Sequence, residues 1–326
     1  MIHFIGKTFI FLLVTMLLIF AIFIGTIKIF AVKGDFSFDA NKEYLFVGHS
    51  HSECAFNDSI VEKSINLSLS GETYFYIYPK IKQVLIQNPN IKNVFIEYSN
   101  NQINKSMNNW IWDNTHISYR LPIYYPFMEL KDIKLLLKKN RSGVIKASSK
   151  TYRRNLINIL RFDYNYTKKI GSYRWLERNK TDSLIEIILN EKHLTNKKTH
   201  NELSITNIEY LEKIIDFCKK QDVDIYLIRS PQHKFYNREN EKIFVNLRKE
   251  KFRNIDFLDF NDFPLHNAEF GDFGHLNHKG AKIFSSWFNE LLKKGLLSME
   301  NKSEFINSEM EQVRTHNNVY KSLGNK

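Results

Sequence analysis

Apolar positions along the chain fall into two kinds of run. The first is long and unbroken. Residues 8–27 (TFIFLLVTMLLIFAIFIGTI) carry no charge. That is about the length a helix needs to cross a bilayer core. A secretory signal peptide has a shorter apolar region that ends in small residues for cleavage. Here no A-x-A site follows, so the pattern predicts an uncleaved membrane anchor over residues 1–33. Lys7 flanks one side and Lys28 and Lys33 the other, so the flanking charges nearly balance and leave orientation weakly specified.

The second kind of run is short and rich in β-branched and aromatic residues. Residues 44–47, 94–98 and 225–228 read as buried parallel strands, with a further short strand at 255–260. Residues 208–221 have helical spacing and a basic end, and residues 279–294 read as a closing helix. Strands alternating with helices predict an α/β fold, a three-layer sandwich with a mostly parallel sheet, over residues 40–104 and 201–297. Residues 105–200 break the alternation with helix-like stretches at 127–139, 151–161 and 182–189, and read as a helical insertion. Residues 298–326 read as a polar tail, loosely held.

Composition changes this picture in one place. The chain has 47 Lys and Arg against 35 Asp and Glu, a formal net charge of +12. Residues 105–200 hold 20 of the basic and 8 of the acidic residues, so the insertion carries the whole excess. A polyanionic partner is implied: an anionic glycopolymer, lipid head groups, or nucleic acid, since Tyr, Phe and Trp are interleaved. Two Cys exclude a disulfide scaffold, and 12 Gly with 6 Pro exclude a low-complexity chain.

Candidate chemistry lies at two places. The first strand runs into Gly48-His49-Ser50-His51, where a Ser on a tight turn presents its hydroxyl beyond the carboxyl end of the sheet. Asp272-Phe273-Gly274-His275 lies just before the last helix. In Asp-x-x-His the carboxylate can hold one imidazole nitrogen while the other faces a Ser as general base. His49 and His51, with His275, also offer a metal-site alternative. His233, in Ser230-Pro231-Gln232-His233, follows a buried strand and is a candidate substrate contact together with His51. Arg153, Arg154 and Arg161 are candidate contacts to an anionic chain.

The order of these blocks resembles the SGNH/GDSL hydrolase superfamily. Matched residue by residue, the resemblance implies Ser50 as nucleophile, His275 as base and Asp272 as its partner. Gly71 looks like the family's oxyanion Gly, and Asn100 or Asn101 like its oxyanion Asn. Two blocks depart from the pattern: His49 stands where an Asp precedes the Ser, and Glu97-Tyr98-Ser99-Asn100 replaces G-x-N-D. The anchor, the altered first block and the run from Asp272 to Ala281 look more like the family's extracytoplasmic branch of DltD-like and AlgJ/AlgX-like acyltransferases. The implied protein is a single-pass membrane acyltransferase or esterase outside the cytoplasm. It would act on an anionic glycopolymer or acylated glycan, without cofactor, metal or nucleic acid, and with a membrane-bound acyl donor protein as partner. The alternatives are a non-catalytic relative that binds an anionic polymer or membrane partner, and a metal-dependent hydrolase.

Overall fold

A computed structural model describes residues 1–190, 202–238 and 240–324, without the side chains of residues 2 and 316–324. Residues 191–200 of the basic insertion and 325–326 of the tail lie outside the described residues. The chain divides into two compact units. The anchor unit is Met1–Ser37 with Asn109–Lys169; the sheet unit is Phe38–Asn108 with Ile170–Lys326. The segment read as one insertion is thus shared: 109–169 belongs with the N-terminal helix, and the chain from Ile170 onward belongs with the sheet.

In chain order, the principal helices are α1 (Ile2–Lys33), α2 (Ser50–Ala55), α3 (Tyr74–Gln87), α4 (Asn114–Tyr124), α5 (Leu130–Lys139), α6 (Arg141–Leu160), α7 (Ile205–Lys220), α8 (Glu241–Lys251), α9 (His278–Lys293) and α10 (Lys302–Gly324). The strands are β1 (Tyr44–Val47), β2 (Ser64–Asn66), β3 (Asn93–Glu97), β4 (Asp224–Arg229) and β5 (Asp256–Asp259). They form one parallel sheet in the order β2-β1-β3-β4-β5. A separate antiparallel pair joins β6 (Phe270–Asp272) to β7 (His275–Leu276).

The sheet unit is the α/β architecture that its run pattern predicts. Alternate strand residues point to opposite faces, and both faces are covered. In register across three strands, Phe46 opposes Phe95 and Phe95 opposes Tyr226. Their rings stack at 4.7 and 5.2 Å. Phe284, Phe288 and Leu291 of α9 close over this ladder and are fully buried. Each such aromatic pair adds about 0.5–1.5 kcal/mol beyond the area it buries. Asn277 starts α9 by accepting from the Lys279 and Gly280 N–H groups (3.0 and 3.1 Å). On the other face α3 and α7 pack together through Phe75 and Tyr210, with ring centroids 4.7 Å apart.

The residues read as a loose polar tail instead form α10. Ile306 and Met310, one turn apart, are buried in the aromatic core beside β5. Two apolar residues at i, i+4 suffice to dock a helix whose other faces are polar.

Within the anchor unit, α1 is the one helix among the described residues that is long and apolar enough to cross a membrane. Its C-terminal part packs on the rest of the unit. Phe23 meets Tyr125 and Tyr152, Asn155 reaches Thr26, and Phe30 meets Tyr164 and Tyr166. Helices α4 and α6 form the hairpin on which it rests.

Candidate active site

Functional groups of an open parallel sheet gather beyond the carboxyl ends of its strands, where the strand order reverses. In this order the reversal lies between β1 and β3, and the candidate residues follow those two strands. Gly48 ends the β1 side. A Cβ there would lie 2.5 Å from the Glu97 Cβ, so only Gly lets the two strand ends approach this closely. The backbone then turns at His49 and enters α2 with Ser50 as its first residue. His51 through Ala55 are all buried, whereas Ser50 keeps partial exposure.

The Asp-x-x-His block is a tight hairpin. Asp272 and His275 oppose each other across β6 and β7. Asp272 Oδ1 accepts from His275 Nδ1 at 2.7 Å and from the Gly274 and His275 backbone N–H groups at 2.9 and 3.1 Å. Its second oxygen pairs with Arg178. Burial alone would raise the Asp272 pKa; the bond to His275, the Gly274 N–H and the Arg178 charge hold it well below the ordinary carboxylate range. An ionised Asp272 accepts only, so His275 Nδ1 carries the proton. Nε2 then has its lone pair free for Ser50 Oγ, 2.7 Å away. Ser50, His275 and Asp272 therefore form one hydrogen-bonded chain.

The Ser50 turn rests on Glu97, which is fully buried at the end of β3. Glu97 Oε2 accepts from the backbone N–H groups of His49 (3.0 Å) and Ser52 (3.1 Å), the residues that bracket the Ser50 turn. Oε1 accepts from Ser99 Oγ at 3.2 Å and lies 3.2 Å from His49 Nε2 and 3.3 Å from His51 Nδ1. Burial pushes His49 down to about 3, so its ring is neutral. Its Nδ1 accepts from the His51 N–H (3.3 Å), which leaves Nε2 to donate to Glu97. Burial would raise the Glu97 pKa, but His49, His51 and the Ser52 N–H more than offset it and bring it to about 2. An extended strand through the Ser50 triplet would send both His rings to the face opposite Ser50. The helical turn at Ser50 instead brings the two rings together, 4.5 Å apart, on one carboxylate.

His49, His51 and Glu97 also form a group whose ligand atoms lie within 4.8 Å of one another, close enough to hold a metal ion. His275 is not in that group. Its ring is 5.1 Å from His51, but its two nitrogens face Asp272 and Ser50. The metal set of His49, His51 and His275 is therefore corrected: the third member that geometry offers is Glu97.

Gly71 has φ +68°, the left-handed region that favours glycine. Its loop extends the β1–β2 ladder, with Leu67 N–H donating to Phe46 O (2.8 Å) and Leu69 N–H to Gly48 O (3.0 Å). Glu53 of α2 holds the neighbouring Ser70 hydroxyl and lies 4.0 Å from Arg174. The two Asn candidates separate. Asn100 turns away into a network with Asn240, Glu241 and Arg229, so its amide is committed there. Asn101 accepts from the Tyr236 hydroxyl at 2.6 Å, and the Tyr236 ring lies against His51.

Residues 171–180 have neither helix nor strand, yet they are tied both to the α2 side of the site and to the Asp272 hairpin. Ser172 N–H donates to Ser68 O (3.3 Å), Arg174 N–H to Glu53 O (2.8 Å) and Lys180 N–H to Gly271 O (3.0 Å). Leu176 O accepts from the His278 N–H at 2.8 Å. This strap delivers Arg178 to Asp272. Nothing in its sequence marks it, because it has no hydrophobic period.

His233 stacks on Phe273 and bonds Asn267 (3.1 Å). It lines a cavity of about 640 Å³ with Lys234, Asp182 and Phe270, beside the Ser50 chain rather than in it. Arg153, Arg154 and Arg161 belong to the anchor unit. Arg154 is engaged by Asn155 and Tyr166. Burial pushes the Cys54 thiol up to about 12, so it is no nucleophile near neutral pH.

No curated protein matches the chain. A family model that carries no description matches residues 138–297. Among solved structures, a provisionally assigned acylhydrolase from Bacteroides fragilis is similar at 10% identity and a TM-score of 0.36, over 78% of this chain and 87% of that one.

Proposed function

We propose that the chain is a membrane-anchored serine esterase or acyltransferase that acts on acyl esters of a cell-surface glycan or teichoic-acid-type polymer. The observation that carries this reading is the hydrogen-bonded chain from Ser50 through His275 to Asp272. His275 Nε2 takes the Ser50 proton as Oγ bonds the acyl carbon. The carbonyl electrons move onto oxygen, where the N–H groups of Ser50 and Gly71 stabilise the charge. As the C–O bond to the alcohol breaks, His275 returns the proton to the leaving oxygen. Water or an acceptor hydroxyl then attacks the acyl-enzyme by the same steps in reverse. Asp272 keeps the Nδ1 tautomer and stabilises the imidazolium. One oxyanion donor contributes about 3–4 kcal/mol to the barrier. Asn101 is the better of the two Asn candidates for a third donor, because Asn100 is committed elsewhere.

The substrate class rests on α1, which favours a surface-bound polymer, and on Arg174 and Arg178, two exposed cations beside Ser70 and Asp272. The resemblance of the Ser50 and Asp272 blocks to the extracytoplasmic acyltransferases favours a domain outside the cytoplasm and a membrane-bound acyl donor. The test is Ser50→Ala in the full chain. Hydrolysis of a small acetyl ester should fall about 10³-fold or more, and labelling by a fluorophosphonate should vanish. Unchanged hydrolysis and labelling would sink the reading.

A further inference from the structure

The anchor unit holds 16 Lys and Arg against 5 Asp and Glu, whereas the sheet unit holds 31 against 30. The basic excess therefore travels with the apolar helix. On α1, every large apolar side chain between residues 4 and 22 is exposed, and packing against the unit begins at Phe23. Nineteen helical residues span about 28 Å, close to the roughly 30 Å hydrocarbon core of a bilayer. If the bare stretch fills the core, the leaflet surface falls near Phe23, at the level where Tyr125 and Tyr152 meet it. Amphipathic aromatic side chains are enriched at that depth.

The direction of α6 then becomes informative. Its contacts with α1 advance together, from Phe23 with Tyr152 to Thr26 with Asn155. The two helices run in the same sense, but residues 4–22 of α1 are bare, so α6 splays away from α1 before Tyr152 and its N-terminal end and the α5 turn lie beside the bare stretch rather than along it. That corner is apolar and basic at once. Leu130, Leu137 and Ile145 are 79%, 38% and 56% exposed, with Lys134, Lys138 and Arg141 exposed among them. The acidic residues of α5 do not dilute this surface, since Glu129 and Asp132 are used in its N-terminal capping box and Asp132 is buried. A merely solvated helix pair has no reason to present Leu130 and Leu137 on α5 and Ile145 on α6 among its cationic side chains. Aliphatic tips that enter the interface beside long cationic side chains are the pattern of a helix lying on an anionic leaflet.

We propose that the α5–α6 corner is a second membrane contact, seated in the anionic phospholipid head groups of the leaflet where α1 emerges. The contact rests on α1 crossing a bilayer. The test uses the full chain as Leu137→Cys, carrying an environment-sensitive fluorophore, in vesicles of phosphatidylcholine alone or with about one third phosphatidylglycerol. Flotation with the vesicles reports α1 insertion separately, so loss of flotation strikes at the anchor and not at the corner. In anionic vesicles we expect a blue-shifted probe, quenched several-fold more by lipids spin-labelled near the head group than in zwitterionic ones. K134E/K138E/R141E should abolish that difference while flotation persists, and K219E/K220E on α7 should leave it intact. Equal, weak quenching in both vesicle types would overturn the proposal. So would an equal blue shift caused by soluble poly(glycerol phosphate) in zwitterionic vesicles, which would assign the corner to a polymer.

Discussion

The two halves of the Ser50 site are built by different means. The nucleophile turn is a buried construction. Glu97 has no exposure, His49 and His51 almost none, and the carboxylate pins backbone N–H groups 45 and 48 residues away in sequence. The base hairpin is a local and half-open one. Asp272 and His275 are about one-fifth exposed, and the spacing of three residues does the positioning. Buried pinning fixes the Ser50 turn against the sheet, and its loss should cost the fold. A short surface hairpin sets what the proposed reading makes a proton relay, whose loss should cost mainly rate.

Four tests on three variants probe that division, from the largest effect to the smallest. Asp272→Asn should lower ester hydrolysis about 10³–10⁴-fold by favouring the wrong His275 tautomer. It should lower the melting temperature less than Glu97→Ala does, because Asp272 and His275 are partly exposed. A comparable loss of stability would break the contrast. Glu97→Ala should do the reverse in emphasis. It strands the His49 and Ser52 N–H groups and the Ser99 hydroxyl in a buried space, at a cost of about 3–5 kcal/mol, read as a large fall in melting temperature in detergent.

The acid limb gives the third test. Glu97 and Asp272 both have pKa values below those of the unfolded chain. The unfolded state therefore binds more protons as pH falls. The stability these groups supply is complete above about pH 4.5 and is lost as pH drops through the folded values. Glu97 shares this window with His49, whose buried ring takes up a proton as pH drops toward about 3. The slope of melting temperature against pH in that window should flatten in Glu97→Ala. A wild-type slope that persists in the variant would assign the acid limb to other groups. Smallest is Arg178→Gln. Its ion pair with Asp272 is exposed on the arginine side, so stability should change by less than about 1 kcal/mol. Hydrolysis should fall a few-fold as Asp272 loses its cationic neighbour.

What the sequence shows of this site follows the same division. Asp272 and His275 are legible because a hairpin brings i and i+3 together. Ser50 is legible because β1 is a clean apolar run ending in Gly48. Glu97 is visible only as a charge closing an apolar strand, and its role needs the β1–β3 pairing, which no local period encodes. Asn100 and Asn101 are adjacent, and the choice between them depends on α8, which captures Asn100. The apolar runs locate β1, β3, β4 and β5 to within a residue or two. They miss β2, whose three residues Ser64-Ile65-Asn66 offer one apolar side chain. They also miss α10, which docks through Phe305, Ile306 and Met310 on an otherwise polar helix.

The strap of residues 171–180 and the hairpin beyond it have a consequence in time. Ser50 is separated from His275 by 225 residues, and contacts between such distant residues are slow to form. A growing chain presents its serine early and its base almost last. Until the hairpin docks and the strap fastens Arg178 beside it, Ser50 is an ordinary alcohol. On the proposed reading, Ser50 stays unactivated until the segment that carries Asp272 and His275 has been made and has docked.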